Sequence, residues 1–377
     1  MIYYNNPFKL NNTNYSRFLF SDIFISKNTI GIISIIYPDV NINLDDIKCV
    51  IKLRNPIEFK FNKSIIHRKY ESSVYAYIDD DRIEDIIKKN NKINITIEYH
   101  NQKKDYVLEK QINQQYNLVF TTLFKDDNYL LPLWIEYYSL IGVDHFIVYY
   151  NKKINKSLTD LLDIYLRTDK LTLIEWDFVH KLPEIQKLSP DIKLVEESLK
   201  VNYHHSQPMS MAHCLHKFGE LTNWIGYFDL DEYLILKEFT NIRNLLKNYD
   251  SEKTVGIKFE CRWADLKGCD ISKEYHHKTA IFNKYNTFRK YETEGDFYRT
   301  KCIVNPKNVT VCGVHRVKKY NKNKYKEYLL DNKTSYFIHF FNFSGGWGGR
   351  DKRNPLKNQQ KVLETHHVKL IKFNQKY

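Results

Sequence analysis

The chain has 377 residues, of which 42% are hydrophobic and 15% aromatic, with 29 Tyr and 22 Phe. That composition excludes a disordered chain, and the length calls for two domains or one large α/β domain with an attachment. The formal net charge of +13 favours polyanions in general, yet the basic residues are scattered among acids and no nucleic-acid-reading motif accompanies them, so nucleic acid is not the expected partner.

Residues 1–112 read as short strands with turn-like breaks, at 17–25, 29–37, 47–53, 57–61, 72–78, 93–99 and 106–111, with one helix at 81–89. This is the pattern of a small all-β, sandwich-like accessory domain, whose expected role is structural. From 113 to 377 strands alternate with helices, as in an α/β domain with a largely parallel sheet. An apolar strand at 116–123 is followed by a helix at 127–141 that carries Leu130, Leu133, Trp134, Tyr137 and Leu140 at helical spacing and ends at Gly142. A strand at 145–150, a helix at 158–167, a strand at 171–176, a helix at 206–219 and a strand at 224–228 follow. Trp134, Trp176 and Trp224 fall on apolar faces and are expected in the core.

The last of these strands runs into Phe228-Asp229-Leu230-Asp231-Glu232, and another apolar run, 233–236, comes after it. Ligands in open α/β sheets gather beyond the carboxyl ends of strands, where this segment should lie. In an extended chain Asp-x-Asp puts both carboxylates on one side. A hard divalent cation, Mn²⁺ or Mg²⁺, held by one or two carboxylates and the phosphates of a substrate, suits such a pair. The same tripeptide also occurs in ordinary turns, and only its place in the α/β pattern singles it out.

The run from Trp224 through Leu234 resembles the Asp-x-Asp segment of glycosyltransferase family 92 and its family 2-like neighbours, which have the GT-A fold. Other segments agree in order. Residues 128–137 with 142–146 resemble the family's first helix and second strand, and 207–214 its pre-motif helix. Lys301-Cys302-Ile303-Val304-Asn305-Pro306 with Gly313-Val314-His315 resembles its downstream lysine and histidine block, and His339-Phe340-Phe341 its final histidine-aromatic block. The chain departs from the family at Leu133, where an acidic residue is usual, and at Tyr138, where a histidine is.

The resemblance implies a GT-A domain, nucleotide-sugar-binding and Rossmann-like, that moves a hexose from a UDP-sugar such as UDP-galactose to a carbohydrate or glycoprotein acceptor, with inversion. It also implies that Asp229 and Asp231 hold the metal and that His315 completes the set, a nitrogen ligand that suits Mn²⁺ better than Mg²⁺. Lys301 would meet a donor phosphate, and Thr121 and Asn151 are counted with Asp229 as substrate-binding candidates. Inversion needs a carboxylate to take the acceptor proton, and Asp265 and Asp351 are the candidates, among further acids at Glu260, Asp270, Glu294 and Asp296. Gly345-Gly346-Trp347-Gly348-Gly349-Arg350 resembles the mobile Trp-and-Gly loop of β-1,4-galactosyltransferases. A lid there would exclude water and bring Arg350 toward the phosphates.

The six cysteines never form a C-x-x-C pair, which disfavours a structural zinc site. The first ten residues lack the pattern of a signal peptide, and no long uncharged apolar stretch follows, so no transmembrane segment and a cytoplasmic location with free thiols are expected. The Asn- and Lys-rich composition hints at an AT-rich source such as a large DNA virus. The alternative from another class is a glycan-binding or scaffold protein with a degenerate, inactive GT-A fold, and a third is a phosphate-binding, nucleic-acid-associated protein exploiting the positive charge. The nearest thing to a basic patch, 316–326 with 350–357, could equally line a pyrophosphate pocket or keep the protein soluble.

Overall fold

The computed structural model describes residues 1–10, 18–35, 43–67, 73–110, 115–178, 206–239, 241–265, 287–289, 300–331, 333–341 and 359–361. The protein is a mixed α/β structure built on one large sheet. Its parallel half has the spatial order Ile2–Tyr4, Leu171–Glu175, His145–Tyr150, Tyr116–Phe124 and Thr222–Tyr227. Thr300–Val304 then pairs antiparallel with Thr222–Tyr227, and Thr254–Asp265 pairs antiparallel with Thr300–Val304. A second ladder is joined to this edge: Ser335–Phe341 runs parallel to Thr254–Asp265 and pairs antiparallel with Glu232–Leu236. The chain therefore leaves the first ladder at Tyr227 and enters the second at Glu232, so residues 228–231 lie where the two ladders meet.

His145–Tyr150, Glu232–Leu236 and Thr300–Val304 are buried at every position, the pattern of strands covered on both faces. Side chains alternate across such strands. On Tyr116–Phe124, Leu118 and Phe120 pack with the helix Leu131–Leu140, while Val119 packs on the opposite face with the helix Ser206–Phe218. Gly226 is needed under Phe120, because a Cβ there would stand 2.3 Å from the Phe120 ring. That ring stacks on Phe228 at 5.1 Å. Gly142, at φ +109°, ends the helix Leu131–Leu140 in a conformation that costs glycine little. Trp134, Trp176 and Trp224 are all buried, as their apolar faces predict.

The N-terminal part contributes two four-stranded antiparallel sheets. They share a core with the helix Asp81–Lys89, which coincides with the helix expected from sequence. Asp80 caps that helix by accepting a hydrogen bond from the Arg82 amide. The single strand expected at 17–25 is two strands, Phe18–Phe20 and Asp22–Ser26. Along the second, Ile23 and Ile25 face the N-terminal core, whereas Phe24 faces the helix Ser206–Phe218. The strand Ile2–Tyr4 lies at the edge of the large sheet, so the boundary expected at 112/113 is crossed by the first strand of the chain.

Cys49, Cys214, Cys261, Cys302 and Cys312 are buried and free of disulfides. Among the described residues no helix is long and apolar enough to cross a membrane.

Candidate active site

The motif strand ends at Tyr227, and the chain then folds into a turn closed by the Glu232 amide donating to the Asp229 carbonyl at 3.1 Å. The Asp229 amide donates in return to the Glu232 carboxylate at 2.9 Å. This corrects the extended alternation expected for Asp-x-Asp: the backbone turns, and the two aspartates take different partners. Asp229 accepts from Gln207 Nε2 at 2.9 Å and from Lys301 Nζ at 2.7 Å. Asp231 Oδ2 lies 3.3 Å from His339 Nε2.

Lys301 reaches the turn because Thr300–Val304 is the antiparallel neighbour of the motif strand, with Cys302 opposite Tyr227. Its ammonium also lies 3.1 Å from Glu232 Oε2, and its side chain is 2% exposed. Burial alone would lower the Lys301 pKa, but the Asp229 and Glu232 carboxylates more than offset it and hold the ammonium well above its usual range. Burial pushes the Glu232 carboxyl up to about 7, with Lys301 opposing the shift and Asp229 adding to it. The second ladder supplies the other partner, since Glu232 is in register with His339 and the His339 Nδ1 lies 3.4 Å from Glu232 Oε1.

Asp231, Glu232 and His339 are all buried and each offers a ligand atom, these atoms lying within 4.8 Å of one another. Two carboxylates and one imidazole form a mixed oxygen and nitrogen donor set, which fits Mn²⁺ and is less suited to Mg²⁺ with its preference for oxygen.

Beside this cluster a cleft opens at the carboxyl ends of the parallel strands, lined by Thr121, Gln207, Ser210, Asp229, Lys301 and Val314 among others. Gln207 and Ser210 come from the first turns of the helix Ser206–Phe218, which is held from behind by the N-terminal sheet. There the fully buried Asp22 carboxylate meets His213 Nε2 at 2.8 Å, Lys217 Nζ at 2.9 Å and the Tyr3 hydroxyl at 2.8 Å. The Tyr149 hydroxyl lies 2.8 Å from His213 Nδ1. An uncharged ring fits both contacts, with Nε2–H donating to Asp22 and Nδ1 accepting from Tyr149.

Thr121, Asp229 and Lys301 are thus brought together at the cleft, with Asp231 beside them in the turn. Asn151 is not. Its amide donates to the Trp176 and Phe178 carbonyls, both at 2.7 Å, and braces the loop after Leu171–Glu175. His315 is exposed, with Nδ1 3.2 Å from the Thr300 carbonyl, and lies outside the acidic cluster. His339 is the histidine that the register of the second ladder brings to the turn. The Asp265 backbone pairs with Phe341; its side chain, together with Trp347, Arg350 and Asp351, lies outside the described residues. Tyr138, one of the two departures from the family pattern, donates its hydroxyl to the Glu232 carbonyl at 2.9 Å and accepts from the Leu234 amide at 3.1 Å. It therefore braces the backbone of the acidic turn.

The model of glycosyltransferase family 92 matches residues 114–376. The galactan beta-1,4-galactosyltransferase GALS3 of Arabidopsis thaliana is 21% identical over an alignment of 246 residues that covers 62% of this chain and 43% of that protein. The chain thus spans less than half the length of that curated relative. Among solved structures, the mannosyltransferase Ktr4p from S. cerevisiae in complex with GDP aligns with a TM-score of 0.24 and 11% identity over 39% of this chain and 41% of that one. A second crystal structure of Ktr4p aligns with a TM-score of 0.23 and 10% identity over 39% of this chain and 40% of that one.

Proposed function

The chain belongs to glycosyltransferase family 92, and from that premise we propose that it moves a hexose from a nucleotide sugar to a glycan or protein-linked acceptor. The domain carrying the reaction is read as GT-A, the donor as a UDP-sugar and the outcome as inversion. UDP-galactose is the first donor to try, because the curated relative is a galactosyltransferase by name.

The observation that carries this reading is the buried Asp231, Glu232 and His339 cluster next to the Lys301–Asp229 pair at the cleft. In the proposed site Asp231 and His339 hold Mn²⁺, with Glu232 as the third donor; His315 has no part in it. The bound ion would supply positive charge against the departing diphosphate. The chain's own residues do the rest. Lys301 presents a second fixed positive charge, kept protonated by the two carboxylates that flank it. Gln207 orients Asp229, and Glu232 fixes the turn through the Asp229 amide. Charges held in place in this way need no reorganisation when charge develops on the leaving group. Asp265 and Asp351 remain the proposed bases for the acceptor hydroxyl.

A screen of nucleotide sugars for Mn²⁺-dependent hydrolysis and transfer tests the reading. The expected result is turnover of a UDP-hexose that Asp231→Asn reduces by about 100-fold or more, in line with the cost of disturbing a metal site. Full activity in EDTA would refute the metal site. Thermal stabilisation by oligosaccharide, with none by UDP and Mn²⁺, would favour the glycan-binding reading instead.

A further inference from the structure

We propose that the basic segment 311–326, which begins at the mouth of the cleft, docks an acceptor glycan bearing carboxylate or sulfate groups; this deepens the transferase reading above and rests on it. The segment between Val311 and Leu330 contains Arg316, Lys318, Lys319, Lys322, Lys324 and Lys326 against a single acid, Glu327. All six cations are exposed. Within the segment the one carboxylate is engaged elsewhere, Glu327 Oε2 lying 2.9 Å from Lys258 and Oε1 accepting from the Val317 amide at 3.3 Å, while Glu252 outside it acts on Lys324.

The strip is fixed relative to the site. Val314 lines the cleft. The Gly313 amide donates to the Arg316 carbonyl at 3.0 Å, and the Thr300 hydroxyl donates to the His315 carbonyl, which ties this turn to the residue preceding Lys301. Val311, Cys312 and Val317 are buried and anchor the hairpin formed by Val311–Cys312 and Val317–Lys319. A second turn, in which the Tyr325 amide donates to the Asn321 carbonyl at 2.9 Å, presents Lys322 and Lys324.

The chemistry points to a polymeric anion with spaced charges. A nucleoside diphosphate carries its charge at one point, and in the proposed site Lys301 and the cation held by the acidic cluster would meet it. Six further cations outside the cleft exceed what the donor needs. Five of the six are Lys, point charges on flexible stems that can follow anions spaced along a chain. A single-strand nucleic-acid site would offer open aromatic faces for base stacking, whereas Tyr320 and Tyr325 are partly buried and Lys324 Nζ sits 5.0 Å from the Tyr325 ring centre.

The test compares the full chain with the variant Lys319→Gln/Lys322→Gln/Lys324→Gln/Lys326→Gln, none of which is placed in the donor site. Fluorescence anisotropy is read with labelled hyaluronan octasaccharide (carboxylate), chondroitin sulfate octasaccharide (sulfate), a neutral galacto-oligosaccharide of equal length, and duplex DNA of equal charge, at physiological salt. Retention by vesicles containing phosphatidylserine is measured in parallel. The expected result is tighter binding of one or both acidic oligosaccharides than of the other probes, weakened about tenfold in the variant by the loss of four modest exposed contacts acting together. The stronger acidic probe identifies the anion. Binding of the neutral oligosaccharide as tight as the acidic ones, an unchanged affinity in the variant, or preferential capture of DNA or vesicles overturns the proposal. Thermal stabilisation by UDP with Mn²⁺ is recorded for both proteins and should be equal; its absence from the unmodified chain overturns the donor reading, whatever the glycan results.

Discussion

Removing the Lys301 ammonium while leaving its partners in place would strand two carboxylates, one of them fully buried. Breaking a buried ion pair from one side costs on the order of 3–5 kcal/mol, far more than the pair is worth as a whole. Asp229 is partly exposed and keeps Gln207, so the burden falls on Glu232, whose burial already raises its pKa to about 7. Lys301→Met should therefore lower the unfolding free energy by about 3 kcal/mol in a urea titration at pH 7. Adding Glu232→Gln should recover part of the loss, and a double variant less stable than the single one would contradict this account. Sequence made the acidic segment and Lys301 legible as separate features, through an apolar strand with a polar end and through family resemblance. It did not reveal that Lys301 lies between Asp229 and Glu232, because that contact depends on the register of two antiparallel strands and not on local spacing. The family resemblance points to His315, whereas the pairing of Glu232–Leu236 with Ser335–Phe341, which local sequence does not reveal, brings His339 to the turn.

At the level of the elements, the helix Ser206–Phe218 links the N-terminal sheet to the cleft, with Asp22 against its last turns and Gln207 in its first. Burial lowers the His213 pKa to about 4, although Asp22 opposes the shift. His145 is likewise lowered to about 4 by burial. In the unfolded chain both titrate near 6.5, so between about 6.5 and 4 the unfolded state binds protons that the native state refuses. Their contribution is complete above about 6.5 and is lost as pH falls toward 4, by up to about 3 kcal/mol for each ring. Burial would raise the Asp22 pKa, but Lys217 and His213 hold it well below the usual carboxylate range, so its contribution is lost only at lower pH. Glu232, raised to about 7, works the other way over the same window, because its folded form takes up a proton first and gains stability as pH falls. Urea unfolding followed from pH 7 to about 4.5 should therefore lose more stability, or gain less, in the unmodified chain than in His213→Gln, and equal slopes in the two proteins would contradict the assignment of a neutral His213 ring. The helix itself was legible as one member of the alternation of strands and helices. Its buried polar partners were not, since Asp22 and His213 come together only through tertiary packing.

Across the whole molecule, the change from strand-rich to alternating pattern near residue 113 was readable from periodicity. The shared packing was not. Phe24, Ile33 and Tyr75 belong to the same core cluster as Met209, Cys214 and Ile225, and Ile2–Tyr4 completes an edge of the large sheet. A fragment beginning at residue 113 would expose that face and leave Lys217 and His213 without Asp22. Such a fragment should show weak near-UV circular dichroism and rapid proteolysis, whereas a cooperative, protease-resistant fragment would mean that the two parts are independent. At the centre of the proposed chemistry, Asp231 and His339 would hold a divalent cation, and a nucleoside diphosphate would strengthen its binding. The most direct test is a Mn²⁺ titration followed by electron paramagnetic resonance with UDP present, in the unmodified chain, Asp231→Asn, His339→Ala and His315→Ala. One bound Mn²⁺ is expected in the unmodified chain and in His315→Ala, with at least about tenfold weaker binding in the other two variants; equal binding in all four proteins, or loss in His315→Ala alone, would contradict it.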